Sequence, residues 1–171
     1  VANVVSNNIS QFTIGAAGGL TPMAPAAIGA GARPYAMAIH PSGRFLYVTN
    51  LNEDSVSQYT IGATGALTSM STATVPTGAV PGSNPLGIAV DTRGRYAYVA
   101  NRDSSSISQF TIGADGALSP MSTPTVTTGL LGPSSITADR LGSSVYVANR
   151  FGDTVLQFSI GSDGALSLLG T

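Results

Sequence analysis

The stretch of sequence that decides the fold runs from residue 47 to residue 62 and reads YVTNLNEDSVSQYTIG. Its first four residues recur as YVAN at 98–101 and at 146–149, and the chain opens on a clipped copy, VAN at 1–3. The asparagines are spaced 47, 51 and 48 residues apart. A glutamine follows each asparagine by eight residues: Gln11, Gln58, Gln109 and Gln157. A period of this length indicates an array of repeated structural units.

Each complete unit is predicted to contain four β-strands, because runs of alternating, β-branched and aromatic residues are bounded by turn-forming residues. In one unit these strands are Tyr35–Ile39, Phe45–Thr49, Val56–Ile61 and a short, Ser/Thr-rich outer strand that starts at Leu67. The equivalent strands in the next unit are Leu86–Val90, Tyr96–Ala100, Ile107–Ile112 and a strand from Leu118. Those in the last unit are Ser135–Ala138, Ser144–Ala148, Thr154–Ile160 and a strand from Leu166. No segment has a sustained 3.6-residue period, so we expect no helix.

The innermost strand of each unit should follow a proline, since a missing amide is tolerated at the first residue of a strand. These prolines are Pro34, Pro85 and Pro133. The length of chain between each outer-strand leucine and the next proline varies, and this variation predicts a loop.

Four antiparallel strands per repeat of this length are typical of a β-propeller blade. We therefore predict one all-β domain over residues 1–171: a partial propeller of three full four-stranded blades plus three strands of another. The expected repeat units are 1–23, 34–72, 85–123 and 133–171. Because the first unit lacks its innermost strand, we expect the chain to be a processed product or a fragment.

The composition excludes several kinds of chemistry. Only 9% of the 171 residues are charged and the net charge is −1, so no nucleic-acid partner is expected. The seven basic residues are all arginine and there is no cysteine, which excludes a Schiff-base lysine and a thiolate nucleophile. No apolar run reaches the length of a membrane span. We expect neither a cofactor nor a metal site.

The repeat resembles the YVTN family of β-propellers, whose members are mostly seven-bladed and include lactonase-like enzymes and surface-layer proteins. The lactonase branch carries Gly-Pro-Arg-His at the entry to a first strand and a glutamate directly after the second-strand asparagine. Here the matching positions are Arg33-Pro34-Tyr35-Ala36, and the asparagines are followed by Leu51, Arg102 and Arg150. By this resemblance no catalytic residue is expected in this chain, and a hydrolytic site would lie in blades that the chain does not contain.

Polar residues cluster in the loops that precede the prolines and follow the second strands. Convergent guanidinium and carboxylate groups in these loops would suit a small anionic or sugar-like ligand. The alternative is a set of surface ion pairs of little energetic value. The candidate ligand-binding residues are Arg33, Asn50, Glu53, Arg102, Asp103, Arg150 and Asp153. Because the asparagine recurs in every unit whatever its neighbours are, a structural role at the strand end explains it better than a ligand does.

Two other sets of polar residues are interpreted as structural. His40, the single histidine, aligns with Asp91 and Asp139 at a predicted turn, where side chains of this kind bind the local backbone. Asp115 and Asp163 each precede a hairpin glycine, but the other units carry alanine and threonine there. A hairpin turn therefore explains these two carboxylates better than a calcium site does.

The leading functional hypothesis is a non-catalytic binding or scaffold module. The alternative is a lactonase-like hydrolase of the 6-phosphogluconolactonase type. The low charge, the abundance of small residues and the lack of cysteine suit an extracellular, periplasmic or cell-surface location. Because the end blades would expose apolar faces, the expected partners are the rest of the parent propeller or further copies of the chain.

Overall fold

The computed structural model describes residues 1–78, 80–129 and 132–170, and residue 171, the predicted end of the last unit, lies outside this part. The described residues form fifteen β-strands in four antiparallel sheets, and within each sheet the strands are ordered as they occur in the chain. We call these sheets blades I to IV. The described ranges contain no helix, and so none that is long and apolar enough to cross a membrane.

Blade I has three strands and the other blades have four. Blade I consists of β1 (Ala2–Asn3), β2 (Asn8–Ile14) and β3 (Leu20–Gly29). Blade II consists of β4 (Pro34–Ile39), β5 (Phe45–Asn50), β6 (Ser55–Ile61) and β7 (Leu67–Pro76). Blade III consists of β8 (Pro85–Val90), β9 (Tyr96–Asn101), β10 (Ser106–Ile112) and β11 (Leu118–Thr127). Blade IV consists of β12 (Pro133–Ala138), β13 (Ser144–Asn149), β14 (Thr154–Ile160) and β15 (Leu166–Gly170). The predicted partial propeller is confirmed.

The three prolines lie where the innermost strands begin. Each proline is itself the first strand residue, one position earlier than the predicted start in β4 and β8. Pro34 pairs with Asn50, and the ladder then shifts register before Met37. Pro85 and Asn101 repeat this pairing in blade III.

The prediction of a short outer strand is wrong, because β3, β7 and β11 each have ten residues. In blade II the ladder between β6 and β7 is interrupted at Gln58, and pairing resumes beyond the interruption at Ser57 and Thr74. The Gln58 Nε2 donates to the Thr72 carbonyl at 2.9 Å, which satisfies a backbone group within the interruption. The outer strands therefore continue past the predicted unit ends at 23, 72 and 123.

The hydrophobic core lies between neighbouring blades. Successive residues of β5 face opposite sides, so Tyr47 packs against blade III and Val48 packs against blade I. All six residues of β5 are buried. Burial on both faces explains why this strand is a nearly continuous apolar run without a polar-apolar alternation.

The two edges of each blade differ in their connections. The loops from the second to the third strand, and from the fourth strand to the next blade, lie at one edge, which we call the mouth edge. The tight turns at Gly43, Gly94 and Gly142, and the hairpins that end at Leu67, Leu118 and Leu166, lie at the opposite edge, which we call the turn edge. The predicted ligand-binding residues all lie at the mouth edge.

Candidate functional site

The mouth edge is built from pairs of loops that run beside each other. In blade II, Leu51 N donates to Arg33 O at 3.0 Å and Asn52 N donates to Ala32 O at 3.2 Å. The same backbone pairing joins Arg102 to Asn84 in blade III at 3.1 Å. These bonds bring residues that are about twenty positions apart in the sequence to one edge of each blade.

Arg33 has a strained backbone. Its φ is 56°, in the left-handed region. The residues at the equivalent positions of blades III and IV, Asn84 and Gly132, also have a positive φ. Asparagine and glycine tolerate this conformation, whereas for most other residues it costs roughly 1–2 kcal/mol. The Arg33 amide donates to Asn7 Oδ1 at 2.8 Å, which helps to hold this geometry.

The Arg33 side chain borders an open pocket of about 390 Å³, which Val4, Asn7 and Asn52 also line. Among the described residues, its guanidinium has no hydrogen-bond partner or ion pair. A strained residue with an unpaired cation at a pocket is a candidate for ligand binding. Nothing in the sequence around Arg33 itself predicts this strain. The Asn and Gly at the equivalent positions of the next two blades are the signal that could have indicated it.

A second set of residues with positive φ immediately precedes, in each blade, the strand next to the outermost one. These residues are Asn7, Asp54, Ser105 and Asp153, with φ between 46° and 53°. The Asp54 carboxylate accepts hydrogen bonds from Gly82 N at 2.6 Å, Ser83 Oγ at 3.0 Å and Asn84 N at 3.0 Å. Asp54 therefore fastens blade II to the loop that enters blade III.

Asp153 is the residue of blade IV that is equivalent to Asp54 of blade II. Its side chain is exposed, and no described residue donates a hydrogen bond to it. The role of Asp54 makes Asp153 a candidate for contact with another blade as well as for the ligand role that the sequence predicts.

Arg102 and Asp103 form the one ion pair found among the described residues. Arg102 Nε lies 2.6 Å from Asp103 Oδ1, and Nη2 lies 3.1 Å from Oδ2. Hydrogen bonding to Arg102, and secondarily to Asn84, lowers the pKa of Asp103, and the bond to Asp103 raises the pKa of Arg102. The charges of Arg102 and Asp103 therefore pair with each other, whereas the Arg33 guanidinium has no such partner among the described residues.

Tyr35 was not singled out as a site residue from the sequence. It follows Pro34 on the innermost strand of blade II and is 54% exposed. An exposed aromatic residue on an innermost strand can stack on a ligand. The signal that could have identified it is its position directly after Pro34 in the Arg-Pro-Tyr sequence.

Asn50 is fully buried, and its Nδ2 donates to Ser55 Oγ at 3.0 Å and to Ser57 Oγ at 2.8 Å. Asn101 makes the same pair of bonds in blade III, to Ser106 and Ser108. The repeated geometry indicates that these asparagines brace the ends of the second and third strands. Asn50 is therefore less accessible to a ligand than the sequence suggests.

Glu53 and Arg150 are accessible to solvent. The Glu53 side chain lies against Gly31, where a Cβ would collide with it, and it lines a pocket of about 290 Å³ together with Tyr59. No hydrogen-bond donor to this carboxylate is found in residues 1–78, 80–129 and 132–170. The Arg150 guanidinium lies 5.8 Å from the centre of the Phe151 ring. Among the described residues, the mouth edge therefore has two unpaired carboxylates, Glu53 and Asp153, and two cations without a carboxylate partner, Arg33 and Arg150.

The polar residues of the turn edge are structural. Asp91 Oδ1 accepts from Arg95 N at 2.6 Å and from Tyr96 N at 2.8 Å, which closes the turn. His40 Nε2 lies 2.9 Å from Gly94 O, which requires the proton on Nε2, and its Nδ1 accepts from Ser42 N at 3.1 Å. His40 thus links blade II to blade III.

The hairpin carboxylates have a local role. Asp115 Oδ1 accepts from Ala117 N and Asp163 Oδ1 accepts from Ala165 N, both at 3.1 Å. In the described part of the chain, no group of three or more His, Asp or Glu side chains is arranged to hold a metal ion.

Comparison with known proteins identifies a family and a set of similar structures. The model of a family described as "Lactonase, 7-bladed beta-propeller" matches residues 1–171. No curated protein matches the sequence significantly.

Three solved structures illustrate the similarity of fold. A candidate 6-phosphogluconolactonase from Bacteroides fragilis is 22% identical with a TM-score of 0.84, over 95% of this chain and 48% of that chain. A protein from Lactobacillus plantarum is 22% identical with a TM-score of 0.83, over 96% and 48%. A periplasmic gluconolactonase from Pseudomonas aeruginosa is 22% identical with a TM-score of 0.75, over 88% and 43%. The chain therefore spans about half the length of these proteins.

Proposed function

Because the chain belongs to the lactonase family of seven-bladed β-propellers, we propose that the protein hydrolyses a lactone and that the mouth edge of these blades forms part of its substrate site. The match of the lactonase family model to residues 1–171 is the observation that carries this proposal. It also overturns the hypothesis of a non-catalytic binding or scaffold module, which is wrong. The narrower YVTN label stays a prediction.

The reaction needs few protein groups. A water molecule adds to the lactone carbonyl, the ring C–O bond breaks, and the product is a hydroxy acid that ionises to a carboxylate. Negative charge develops on the carbonyl oxygen during the attack and remains on the product. A guanidinium near the reacting carbonyl stabilises this charge, and a carboxylate near the water can accept its proton.

Within this chain, Arg33 is the best candidate for binding the substrate. Its guanidinium, which has no partner in the described part of the chain, borders a pocket, and the backbone of Arg33 is strained. On the adjoining loop, the Glu53 carboxylate accepts no hydrogen bond from a described residue, whereas the Asp103 carboxylate pairs with Arg102. Because the motif residues of the lactonase branch are replaced here, we propose that the groups that activate water lie in other blades, and that Arg33 positions the substrate.

The proposed substrate class is an aldonolactone, a sugar-derived ring ester. Arg33 would bind its oxygen-rich or anionic part, and Tyr35 would offer an aromatic face to the ring. This proposal agrees with the names of two similar structures, a candidate 6-phosphogluconolactonase and a gluconolactonase. A periplasmic or extracellular location is a further proposal, supported by the periplasmic relative.

Hydrolysis of gluconolactone and of 6-phosphogluconolactone by the complete protein tests the proposal. Turnover can be followed by acid release in a weakly buffered solution. We expect turnover well above the spontaneous rate, and a loss of at least tenfold in kcat/KM for Arg33→Ala. The matched control is Arg44→Ala, at the turn edge, which should leave the rate unchanged. No turnover of either lactone, or equal rates for the two variants, would overturn the proposal.

A further inference from the structure

A chain of hydrogen bonds crosses the mouth edge from blade II to blade III. The Asp54 carboxylate, at the end of the loop before β6, accepts from the backbone amide of Asn84, and also from Gly82 N and Ser83 Oγ. The Asn84 side chain in turn donates to Asp103 Oδ2. Asn84 is therefore held by blade II through its backbone, and it holds a carboxylate of blade III through its side chain.

The ion pair of Arg102 with Asp103 is the far end of this chain of bonds. The backbone of both residues is fixed, because Arg102 N donates to Asn84 O at 3.1 Å and Asp103 N donates to Ser83 O at 2.9 Å. The carboxylate also binds two donors of one guanidinium, which fixes the plane of the Arg102 side chain. The loop before β8 thus orients this pair, whereas an isolated surface pair of long side chains is free to reorient.

The combination of asparagine, arginine and aspartate at these three positions occurs in blade III but in neither of the other complete blades. Blade II has Arg33, Leu51 and Asn52 there, and blade IV has Gly132, Arg150 and Phe151. Because the other blades form the same four-stranded sheet without this cluster, the fold does not require it. Binding explains three matched polar groups in mouth-edge loops better than folding does.

The pair has unused hydrogen-bonding capacity. The Arg102 side chain is 27% exposed and the Asp103 side chain is 41% exposed. The two N–H groups on Arg102 Nη1 donate to no described residue. Asp103 Oδ1 accepts from Arg102 alone among the described residues, and a carboxylate oxygen can accept a second bond. The cluster therefore offers fixed donors beside a fixed acceptor.

The charge of the pair determines the kind of ligand that it suits. The formal charges of Arg102 and Asp103 cancel, and the Asp54 carboxylate lies on the other side of Asn84, so the cluster attracts an anion less than the Arg33 guanidinium does. A hydroxyl group both donates and accepts hydrogen bonds. Neighbouring hydroxyls on a ring can therefore bind an N–H donor and a carboxylate oxygen at the same time.

We propose that Arg102 and Asp103 bind hydroxyl groups of the substrate ring, and that Asn84 and Asp54 position them. This inference rests on the proposed lactone hydrolysis and gives the mouth edge two roles. Arg33 binds the anionic or oxygen-rich part of the substrate, and the Arg102–Asp103 pair recognises ring hydroxyls. The pair then determines specificity, because a lactone without hydroxyls leaves its donors and its acceptor unpaired.

A comparison of two lactones tests the proposal on the complete protein. Glucono-δ-lactone has a hydroxylated ring, and δ-valerolactone has the same ring without hydroxyls. We expect Asp103→Ala and Arg102→Ala each to lower kcat/KM for gluconolactone by about tenfold or more, and to leave the value for δ-valerolactone within about twofold. Asp115→Ala, the matched control at the turn edge, should change neither value. Equal losses with the two lactones, or no loss with gluconolactone, would overturn the proposal.

The positioning role of Asn84 is tested by Asn84→Gly. Glycine tolerates the φ of 52° at this position and keeps the backbone amide that donates to Asp54, so the variant loses only the side-chain bonds. We expect KM for gluconolactone to rise severalfold, with kcat/KM for δ-valerolactone unchanged. A purely structural role would alter both substrates together, and unchanged kinetics with both would also contradict the positioning role.

A binding measurement without turnover separates this proposal from the proposed function. The probe is 1,5-anhydroglucitol, which has the hydroxylated ring but no lactone group, and its binding can be followed by ligand-observed NMR. We expect binding to the wild type, and roughly fivefold weaker binding or less to Asp103→Ala. Binding of the polyol through Asp103 without hydrolysis of either lactone would refute the proposed function alone. No binding to the wild type, or equal binding to the variant, would refute the hydroxyl site.

Discussion

The Gln58 side-chain carbonyl in blade II accepts a hydrogen bond from the Leu118 amide in blade III at 2.7 Å, while its Nε2 donates to Thr72 within its own blade at 2.9 Å. One buried side chain therefore forms a hydrogen bond across the interrupted ladder of its own sheet and another to the next sheet. The same two bonds are made by Gln109, to Leu166 and Thr123. The glutamine at this repeat position therefore couples the folding of its own blade to the packing of the next blade.

Replacing Gln58 by leucine should destabilise the protein strongly. The change leaves the buried Leu118 N–H and the Thr72 carbonyl without their partner, and an unsatisfied buried group costs about 1–3 kcal/mol. We expect the free energy of unfolding to fall by at least about 2 kcal/mol, measured by urea denaturation. Gln157→Leu, at the equivalent position of blade IV, removes no inter-blade hydrogen bond to a described residue, and it should cost less stability. Equal losses for the two variants would contradict this role.

Asp54 should be a stability determinant and Asp153 should not. Asp54→Ala removes the acceptor of three hydrogen bonds from the loop that enters blade III. The expected loss is about 1–3 kcal/mol in the free energy of unfolding, since charge-assisted bonds are among the stronger ones. Asp153→Ala removes the equivalent carboxylate, which accepts no hydrogen bond from a residue that the structure describes, and is the matched control. The prediction fails if Asp153→Ala lowers the free energy of unfolding as much as Asp54→Ala does.

Alkaline pH should destabilise the fold through its tyrosines. Burial raises the pKa values of Tyr47, Tyr59 and Tyr98 above the ordinary value of 10.0. Because these hydroxyls ionise more easily in the unfolded chain, their contribution to stability is complete below about pH 10 and is lost as the pH rises further. The slope should reach up to about 1.4 kcal/mol per pH unit for each buried tyrosine.

Unfolding measured by urea at a series of pH values, together with tyrosinate absorbance, checks this prediction. The chain has neither lysine nor cysteine, so few other side chains titrate in that range. Tyr47→Phe combined with Tyr98→Phe should make the loss of stability above pH 10 shallower. A free energy of unfolding that stays constant up to pH 12 in the wild type would contradict the prediction.

Arg33→Asn should increase stability and reduce activity together. Asparagine tolerates the left-handed backbone that Asn84 already adopts in the next blade, so relief of strain should add about 1 kcal/mol to the free energy of unfolding. The lost guanidinium should lower lactone hydrolysis at the same time. Arg44→Asn, at a turn-edge position where φ is not positive, should not show the gain in stability. Thermal unfolding and the hydrolysis assay measure the two effects, and a destabilised Arg33→Asn variant would argue against strain at this position.

The repeat period and the strand pattern were accessible from the sequence because they depend on local properties. A proline such as Pro34 cannot donate a ladder hydrogen bond, and Gly43 accepts a positive φ in any context, so both mark element boundaries without reference to the rest of the fold. The alternation in β6 and the turn residues after it likewise predict a strand and a hairpin. The number of blades and strands follows from these local signals.

The length of the outer strands, the strain at Arg33 and the burial of Asn50 were decided by tertiary structure. The β6–β7 ladder resumes beyond its interruption because Gln58 satisfies the Thr72 carbonyl across it, and Arg33 is held by Asn7, which is distant in sequence. The physical reason is the same for all of these features. Sequence periodicity reports which side of a strand is apolar, whereas hydrogen bonds and burial between blades depend on which groups the neighbouring blade places opposite them.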